Sequence, residues 1–201
     1  MKQVCTALLL LLLASMNLAQ AEEADTTKII GLIQQGGYVL YFRHAHTDHN
    51  QADSDRSTLS DCATQRNLDE QGRREATAIG QAFKTLKIPV GKVLSSPYCR
   101  TKETATLAFG RVEVTPELGF SISKNQQETD QLAQALKRML ATAPNSGVNT
   151  VLVSHSGNLK DAADVWLKPE AAMAVFKPHD HGSFEFVGII APDAWPAMVE
   201  K

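Results

Sequence analysis

The sequence predicts an α/β protein, a three-layer α/β/α sandwich around a mainly parallel sheet. The runs at 38–42 and 150–153 are apolar almost throughout, which is typical of strands buried on both faces of a parallel sheet. Amphipathic stretches at 71–86 and 127–141 lie between such runs and predict helices. Because strands and helices alternate along the chain, we expect crossover connections and parallel strands.

Turn and capping residues delimit the predicted elements. Asp69 is a good N-cap for the helix that follows it, and Ser96 is expected to cap a helix whose first residue is Pro97 and which ends at Gly110. The long polar stretch 45–67 predicts an irregular loop, and loops of this length are usually functional. In chain order we expect helices over 27–35, 71–86, 97–108, 127–141 and 158–167, and strands at 38–42, 93–94, 150–153, 175–176 and 184–190.

The first 21 residues have the pattern of a cleavable secretory signal. Lys2 precedes an apolar run over 7–13, and Ala-Gln-Ala follows at 19–21. The apolar run is too short to cross a bilayer. We therefore expect a signal peptide over 1–21, a domain over 22–201, a periplasmic or secreted location, and no stable membrane anchor after cleavage.

Composition narrows the classes of partner and the redox compartment. After removal of the signal, the chain has 19 basic and 22 acidic residues, and its net charge is −3. A chain with this charge is not expected to bind nucleic acid. Cys62 and Cys99 are then the two cysteines left. In an oxidising compartment they are a possible disulfide, although the sequence does not show whether they come within reach.

Arginine and histidine residues follow three of the predicted strands. Arg43 and His44 come directly after the first, Arg100 follows the second after a short turn, and His155 comes soon after the third. Ligands of open α/β sheets bind at the carboxyl ends of the strands, so these side chains can converge. Arginine forks match phosphate oxygens, and a neutral imidazole can attack phosphorus. The pattern predicts a phosphoryl-transfer site.

Four segments resemble, in order, the motifs of the histidine phosphatase superfamily, in the branch that includes the cofactor-dependent phosphoglycerate mutases. The first, RHAHTDHN at 43–50, resembles R-H-G-x-T-x-x-N with Ala45 in place of the glycine. The others are NLDEQGRREA at 67–76, VLSSPYCRTKETA at 93–105 and VLVSHSGNL at 151–159. The resemblance implies a phosphoglycerate mutase-like fold, no metal and no dissociable cofactor.

The resemblance also implies roles for individual residues. His44 would be the phosphorylated nucleophile, and Arg43, Arg100 and His155 would form the phosphate pocket. Thr47 and Asn50 match positions that help to hold the phosphate. The histidines at 44, 46 and 49 with Asp48 also suggest a metal site, but the match of His44 to the nucleophile is the better explanation.

The glutamate that acts as general acid in many members of the family has no equivalent at the matching position of this sequence. Many members carry a glutamate two positions after a leucine, whereas here Phe120 stands two positions after Leu118. Glu117, Glu128 and Asp48 are the alternatives, and the chain can also lack this acid altogether. A missing acid would favour substrates with good leaving groups, because leaving-group protonation commonly contributes about 10²–10⁴-fold to the rate.

These observations predict a metal-independent phosphohydrolase that removes phosphoryl groups from small phosphomonoesters through a phosphohistidine on His44. One alternative is a phosphohistidine or phosphoramidate phosphatase that lacks a strong general acid. Another is an inactive protein that binds a phosphorylated ligand. The sequence identifies neither the substrate nor the oligomeric state.

Overall fold

The chain folds into a six-stranded sheet with helices on both faces. The computed structural model describes residues 25–122 and 124–200, and the predicted signal segment lies outside them. The strands are β1 (Val39–Arg43), β2 (Val90–Ser95), β3 (Glu113–Val114), β4 (Asn149–Ser154), β5 (Met173–His179) and β6 (Ser183–Ile190). The helices are α1 (25–33), α2 (Glu70–Thr85), α3 (Cys99–Phe109), α4 (Gln126–Leu140), α5 (Ser156–Ala163) and α6 (Ala194–Val199).

The sheet has the order β3-β2-β4-β1-β5-β6 and is parallel over its first four strands. Strands β5 and β6 are antiparallel to their neighbours. The mainly parallel α/β/α prediction is therefore confirmed. The carboxyl ends of β1, β2 and β4 meet at one edge of the sheet, and the antiparallel β5 begins at that same edge, with Met173 opposite Phe42.

Alternating side chains of the strands point into two separate cores. Leu40 and Phe42 of β1 pack in the core that includes residues of α1, α2, α3 and α6. Val39 and Tyr41 of the same strand pack in the core that includes residues of α4 and α5. The two cores make the three layers. None of the helices in the described residues combines the length and apolar character that a membrane crossing requires.

Helix α1 already includes residue 25 rather than starting at the predicted 27. Two further predicted helix starts were wrong, and both of these concern the active edge. Helix α3 begins at Cys99 with Tyr98 as its N-cap, because the hydroxyl of Ser96 bonds with a histidine of the neighbouring strand end instead. Helix α5 begins at Ser156 with His155 as its N-cap. It therefore starts two residues before the predicted 158 and runs only to Ala163 rather than to 167.

Candidate active site

Two buried histidines stand at the ends of two neighbouring parallel strands. Arg43 pairs with Ser154 in the register of β1 and β4, so the next residues, His44 and His155, leave the sheet side by side. Their ring centroids are 5.5 Å apart, and the residues are 3% and 1% exposed. Helices α3 and α5 both begin at this edge, where their free backbone N–H groups favour an anion.

The ring of His44 is held in the form a nucleophile needs. Its Nδ1 lies 3.0 Å from the backbone oxygen of Ala45. Because a carbonyl oxygen can only accept a hydrogen bond, Nδ1 carries the proton and Nε2 keeps a free lone pair. Burial, and then the positive charge of Arg100, hold the pKa of His44 well below its usual value, so the ring stays neutral.

His155 is oriented by Ser96. Its Nε2 lies 2.9 Å from the Ser96 hydroxyl oxygen, which also accepts a hydrogen bond from the backbone N–H of Tyr98 at 3.4 Å. When the hydroxyl proton points at Nε2, the histidine proton lies on Nδ1. That Nδ1 is buried without a hydrogen-bond partner in the described residues. Burial and the charge of Arg100 keep the pKa of His155 well below its usual value.

Three arginines surround this pair, and each has one edge of its guanidinium group held by the protein. Arg100 binds the carboxylate of Asp53 through Nη1 at 2.9 Å and Nη2 at 3.3 Å. Arg43 donates from Nη2 to Glu170 at 3.3 Å, and Nη2 of Arg66 lies 3.7 Å from the same carboxylate oxygen.

At least one nitrogen of each arginine is left without a hydrogen bond to the described part of the chain. The Nε atoms of Arg43, Arg66 and Arg100 are buried without a hydrogen-bond partner in the described residues. All three arginines lower the pKa of both His44 and His155, so the five groups lie within electrostatic reach of one another. Buried donors are rarely left unpaired in a folded protein. Three Nε–H groups and one imidazole N–H therefore form a site for an anion with several oxygens.

Four residues of this site were missed by the sequence analysis: Ser96, Arg66, Asp53 and Glu170. Glu170 precedes β5, and it reaches the site because that strand is antiparallel and starts at the active edge. Asp53 and Arg66 lie in the long loop, whose path no periodicity predicts. For two of the four, the sequence motifs could have pointed to the site. Arg66 lies directly before the 67–76 motif, and Ser96 lies within the 93–105 motif.

Two residues expected to hold phosphate make other contacts. Thr47 is buried, and its backbone N–H and hydroxyl both donate to Glu170, at 3.0 and 3.1 Å. Asn50 is exposed and donates to the carboxylate of Asp48 at 3.1 Å. A phosphate-binding role for Thr47 and Asn50 stays a prediction.

The three candidate general acids lie in differing surroundings. Asp48 accepts hydrogen bonds from Asn50. Glu128 caps the first turn of α4 and pairs with Lys124. Glu117 is exposed. Instead, the carboxylates in contact with the arginine cluster belong to Asp53 and Glu170.

A disulfide between Cys62 and Cys99 pins the long loop to the first turn of α3. Their Cα atoms are 5.7 Å apart. Beside the disulfide, the backbone N–H of Cys99 donates to the side chain of the buried Gln65 at 2.9 Å. The link ties the loop that carries Asp53 and Arg66 to the helix that carries Arg100.

A cavity of about 630 Å³ is separated from His155 by two aromatic rings that line it. These rings belong to Tyr98 and Phe120, and their centroids lie 5.1 and 4.9 Å from that of His155. The same two rings pack against the guanidinium of Arg100, 4.6 and 5.6 Å from its central carbon. Cationic side chains also line the cavity: Arg56, Lys124 and Arg138. It can receive an organic group attached to a phosphate held by the arginines.

The comparison with protein families agrees with this geometry. The model of the histidine phosphatase superfamily (branch 1) matches residues 39–120. This range runs from β1 through the long loop and α3 to Phe120, and it includes His44 and Arg100. This part of the chain is therefore similar to the histidine phosphatase superfamily. No curated protein matches it significantly.

Several solved structures share the fold of this chain at low sequence identity. Phosphoserine phosphatase from Entamoeba histolytica, in complex with 3-phosphoglyceric acid, has a TM-score of 0.57 at 14% identity, covering 79% of this chain and 98% of its own. The protein histidine phosphatase SixA, complexed with tungstate, has 0.54 at 20%, covering 78% and 97%. Mycobacterial glucosyl-3-phosphoglycerate phosphatase has 0.52 at 15%, covering 75% and 96%.

Proposed function

We propose that this protein hydrolyses phosphomonoesters through a phosphohistidine on His44. The observation that carries the proposal is a set of buried nitrogens of Arg43, Arg66, Arg100 and His155 around a neutral imidazole, for which residues 25–122 and 124–200 provide no hydrogen-bond partner. Such donors match the oxygens of a phosphoryl group and stabilise the charge that spreads over them during transfer. A protein that only bound phosphate would have no need of the Nε2 lone pair.

The reaction has two steps. In the first, Nε2 of His44 forms a bond to phosphorus while the bond from phosphorus to the leaving oxygen breaks, and that oxygen takes up a proton from solvent or from a neighbouring acid. In the second, a water oxygen attacks phosphorus, the N–P bond breaks, the water gives up one proton to solvent, and inorganic phosphate leaves with His44 neutral again. His155 donates from Nδ1 to a phosphoryl oxygen in both steps.

A second candidate activity is the hydrolysis of phosphoramidates or phosphohistidine. It is supported by the surroundings of the three candidate acids, since Asp48 and Glu128 are engaged in local hydrogen bonds and Glu117 is exposed. A chain without a strong proton donor favours leaving groups that depart easily. One structural neighbour is named a protein histidine phosphatase.

The test uses the mature chain, residues 22–201, beside His44→Ala, on phosphomonoesters of graded leaving-group pKa and on phosphoramidates, with EDTA present. We expect phosphate release in the wild type, loss of about 10³-fold or more in the variant, and acid-quenched protein phosphorylated on His44 by mass spectrometry. A steep fall in rate with leaving-group pKa would favour the phosphoramidate activity. Turnover that EDTA abolishes, or that His44→Ala keeps, would contradict the mechanism.

We also propose that the protein is exported and acts on a small phosphorylated substrate. The disulfide between Cys62 and Cys99 supports an oxidising compartment. Fractionation of cells that express the full chain should find the protein outside the cytosol, shortened by about 21 residues as the signal pattern predicts. Retention in the cytosol at full length would contradict export.

A further inference from the structure

Two of the three clustered histidines serve no purpose in the proposed reaction. The structure separates His44, which is buried beside His155, from His46 and His49, whose rings stack with centroids 5.2 Å apart. One ligand atom each of His46, His49 and Glu170 lie within 4.8 Å of one another. This grouping differs from the one suggested by the sequence, because it excludes both His44 and Asp48.

The two oxygens of Glu170 face different groups. Oε1 lies 3.3 Å from Arg43 and 3.7 Å from Arg66, so it faces the guanidinium groups. Oε2 accepts the backbone N–H of Thr47 at 3.0 Å and lies 3.3 Å from Nε2 of His49. The Thr47 hydroxyl lies within hydrogen-bond distance of both oxygens, at 3.1 and 3.2 Å. The carboxylate therefore contacts the arginines through one oxygen and His49 through the other.

His46 is held as metal-bound histidines are held. Its Nδ1 lies 2.7 Å from Oδ2 of Asp69, the N-cap residue of α2. Histidines that bind metals usually donate their other ring N–H to a carboxylate, which fixes the tautomer and makes the free nitrogen a better ligand. Nε2 of His46 is the nitrogen that this contact leaves free.

We propose that His46, His49 and Glu170 bind a zinc ion at the mouth of the active site, with Asp69 orienting His46. Two imidazole nitrogens and one carboxylate oxygen are ligands that zinc accepts, with water completing a tetrahedron. Tetrahedral ligands at about 2.0–2.1 Å from zinc lie about 3.3 Å apart, which is the separation of His49 Nε2 and Glu170 Oε2. The side chain of His49 is 63% exposed, so the site opens to solvent. The ion would fasten the start of the long loop to the segment before β5.

The experiment measures zinc binding to the metal-free mature chain by competition with a chromophoric chelator. We expect one zinc per chain, and at least tenfold weaker binding in His49→Ala and in His46→Ala. The matched control is His179→Ala. It removes another exposed histidine, which lies 3.2 Å from the carboxylate of Glu185 but belongs to no group of three potential metal ligands among the described residues. The control should bind zinc as the wild type does. Amide hydrogen exchange should also slow at residues 46–50 when zinc is added to the wild type.

Three outcomes would overturn the zinc site: no zinc bound by the wild type, equal affinity in wild type and His49→Ala, or an equal loss in His179→Ala. The exposure of His49 makes misfolding of its variant a poor explanation of any loss, and circular dichroism checks this. Phosphate release in EDTA, which tests the proposed function, requires no zinc. Failure of either idea is therefore visible separately.

Discussion

At the scale of single residues, the neutral state of His44 has a measurable consequence. Its pKa and that of His155 are held well below the ordinary histidine value by burial and by Arg100. We expect both rings to remain neutral as the pH falls through about 6.5, the ordinary value. A ¹⁵N NMR titration of the histidine rings checks this. A midpoint at or above that value for His44 would contradict the nucleophile assignment.

The same shifts make a prediction about stability. Between the lowered folded pKa and the ordinary unfolded one, the unfolded chain binds more protons, so the free energy of unfolding rises with pH in that interval. The stability that the two neutral histidines contribute should therefore be complete above about pH 6.5 and should decrease as the pH falls below that value. Urea unfolding from pH 7.5 to pH 5 should show a smaller decrease in His155→Gln than in the wild type. An identical pH dependence in both proteins would contradict the shift.

The contact between Asp53 and Arg100 is buried on both sides, since the side chains are 8% and 1% exposed. Asp53→Asn leaves the charge of Arg100 without its partner, and breaking a buried ion pair in this way costs about 3–5 kcal/mol. We expect a lower melting temperature and a larger stabilisation by inorganic phosphate than in the wild type, because phosphate then supplies the missing negative charge. Thermal unfolding with and without phosphate measures both effects.

Asp55→Asn is the control, because Asp55 lies in the same loop but its carboxylate accepts hydrogen bonds from Ser57. It should change neither the melting temperature nor the response to phosphate by more than a small fraction of the effect at Asp53. An equal response in the two variants would mean that the Arg100 contact does not hold the pocket together.

At the scale of elements, the disulfide links the long loop to α3. Replacing Cys62 and Cys99 with serine opens a link that spans 37 residues of sequence. We expect the free energy of unfolding in urea to fall by about 2–4 kcal/mol. Phosphatase activity should fall as well, because the loop presents Asp53 and Arg66 to the site. Dithiothreitol should lower both stability and activity in the wild type and change neither in the double variant. Unchanged activity in the double variant would mean that the loop is held by its other contacts.

Helix α2 begins directly against the backbone of the loop that carries His46. A Cβ at Gly72 would lie 2.0 Å from the backbone oxygen of His46. Gly72→Ala therefore forces the helix and the loop apart, and we expect a loss of about 1–3 kcal/mol in unfolding free energy and a lower kcat/KM. Gly31→Ala in α1, where no atom outside the helix lies within 4 Å of the added Cβ, is the control: it should leave kcat/KM unchanged and should not lower the unfolding free energy, which alanine can raise by up to about 1 kcal/mol in a helix. Wild-type stability in Gly72→Ala would contradict this packing.

At the scale of the whole molecule, ligand binding and catalysis should be separable. Removing the neutral ring of His44 leaves Arg43, Arg66, Arg100 and His155 in place. His44→Ala should therefore still be stabilised by phosphate or tungstate, by about 2.7 kcal/mol at a ligand concentration 100 times Kd, while turnover is lost. Calorimetric unfolding with added ligand measures this. A variant that no longer responds to either anion would mean that His44 holds the pocket open rather than attacking phosphorus.

The sequence by itself determined the α/β class and the presence of most helices and strands, and it singled out Arg43, His44, Arg100 and His155, which the structure brings together. Each of these depends on local information: a buried strand is a run of apolar residues, and strand ends in a parallel sheet meet at one edge. The tertiary structure decided what depends on strand direction and loop path. Glu170 reaches the arginines because β5 is antiparallel, and Asp53 because the loop folds back under its disulfide. Neither has a periodic signal, since contacts between residues distant in sequence are set by packing rather than by local pattern.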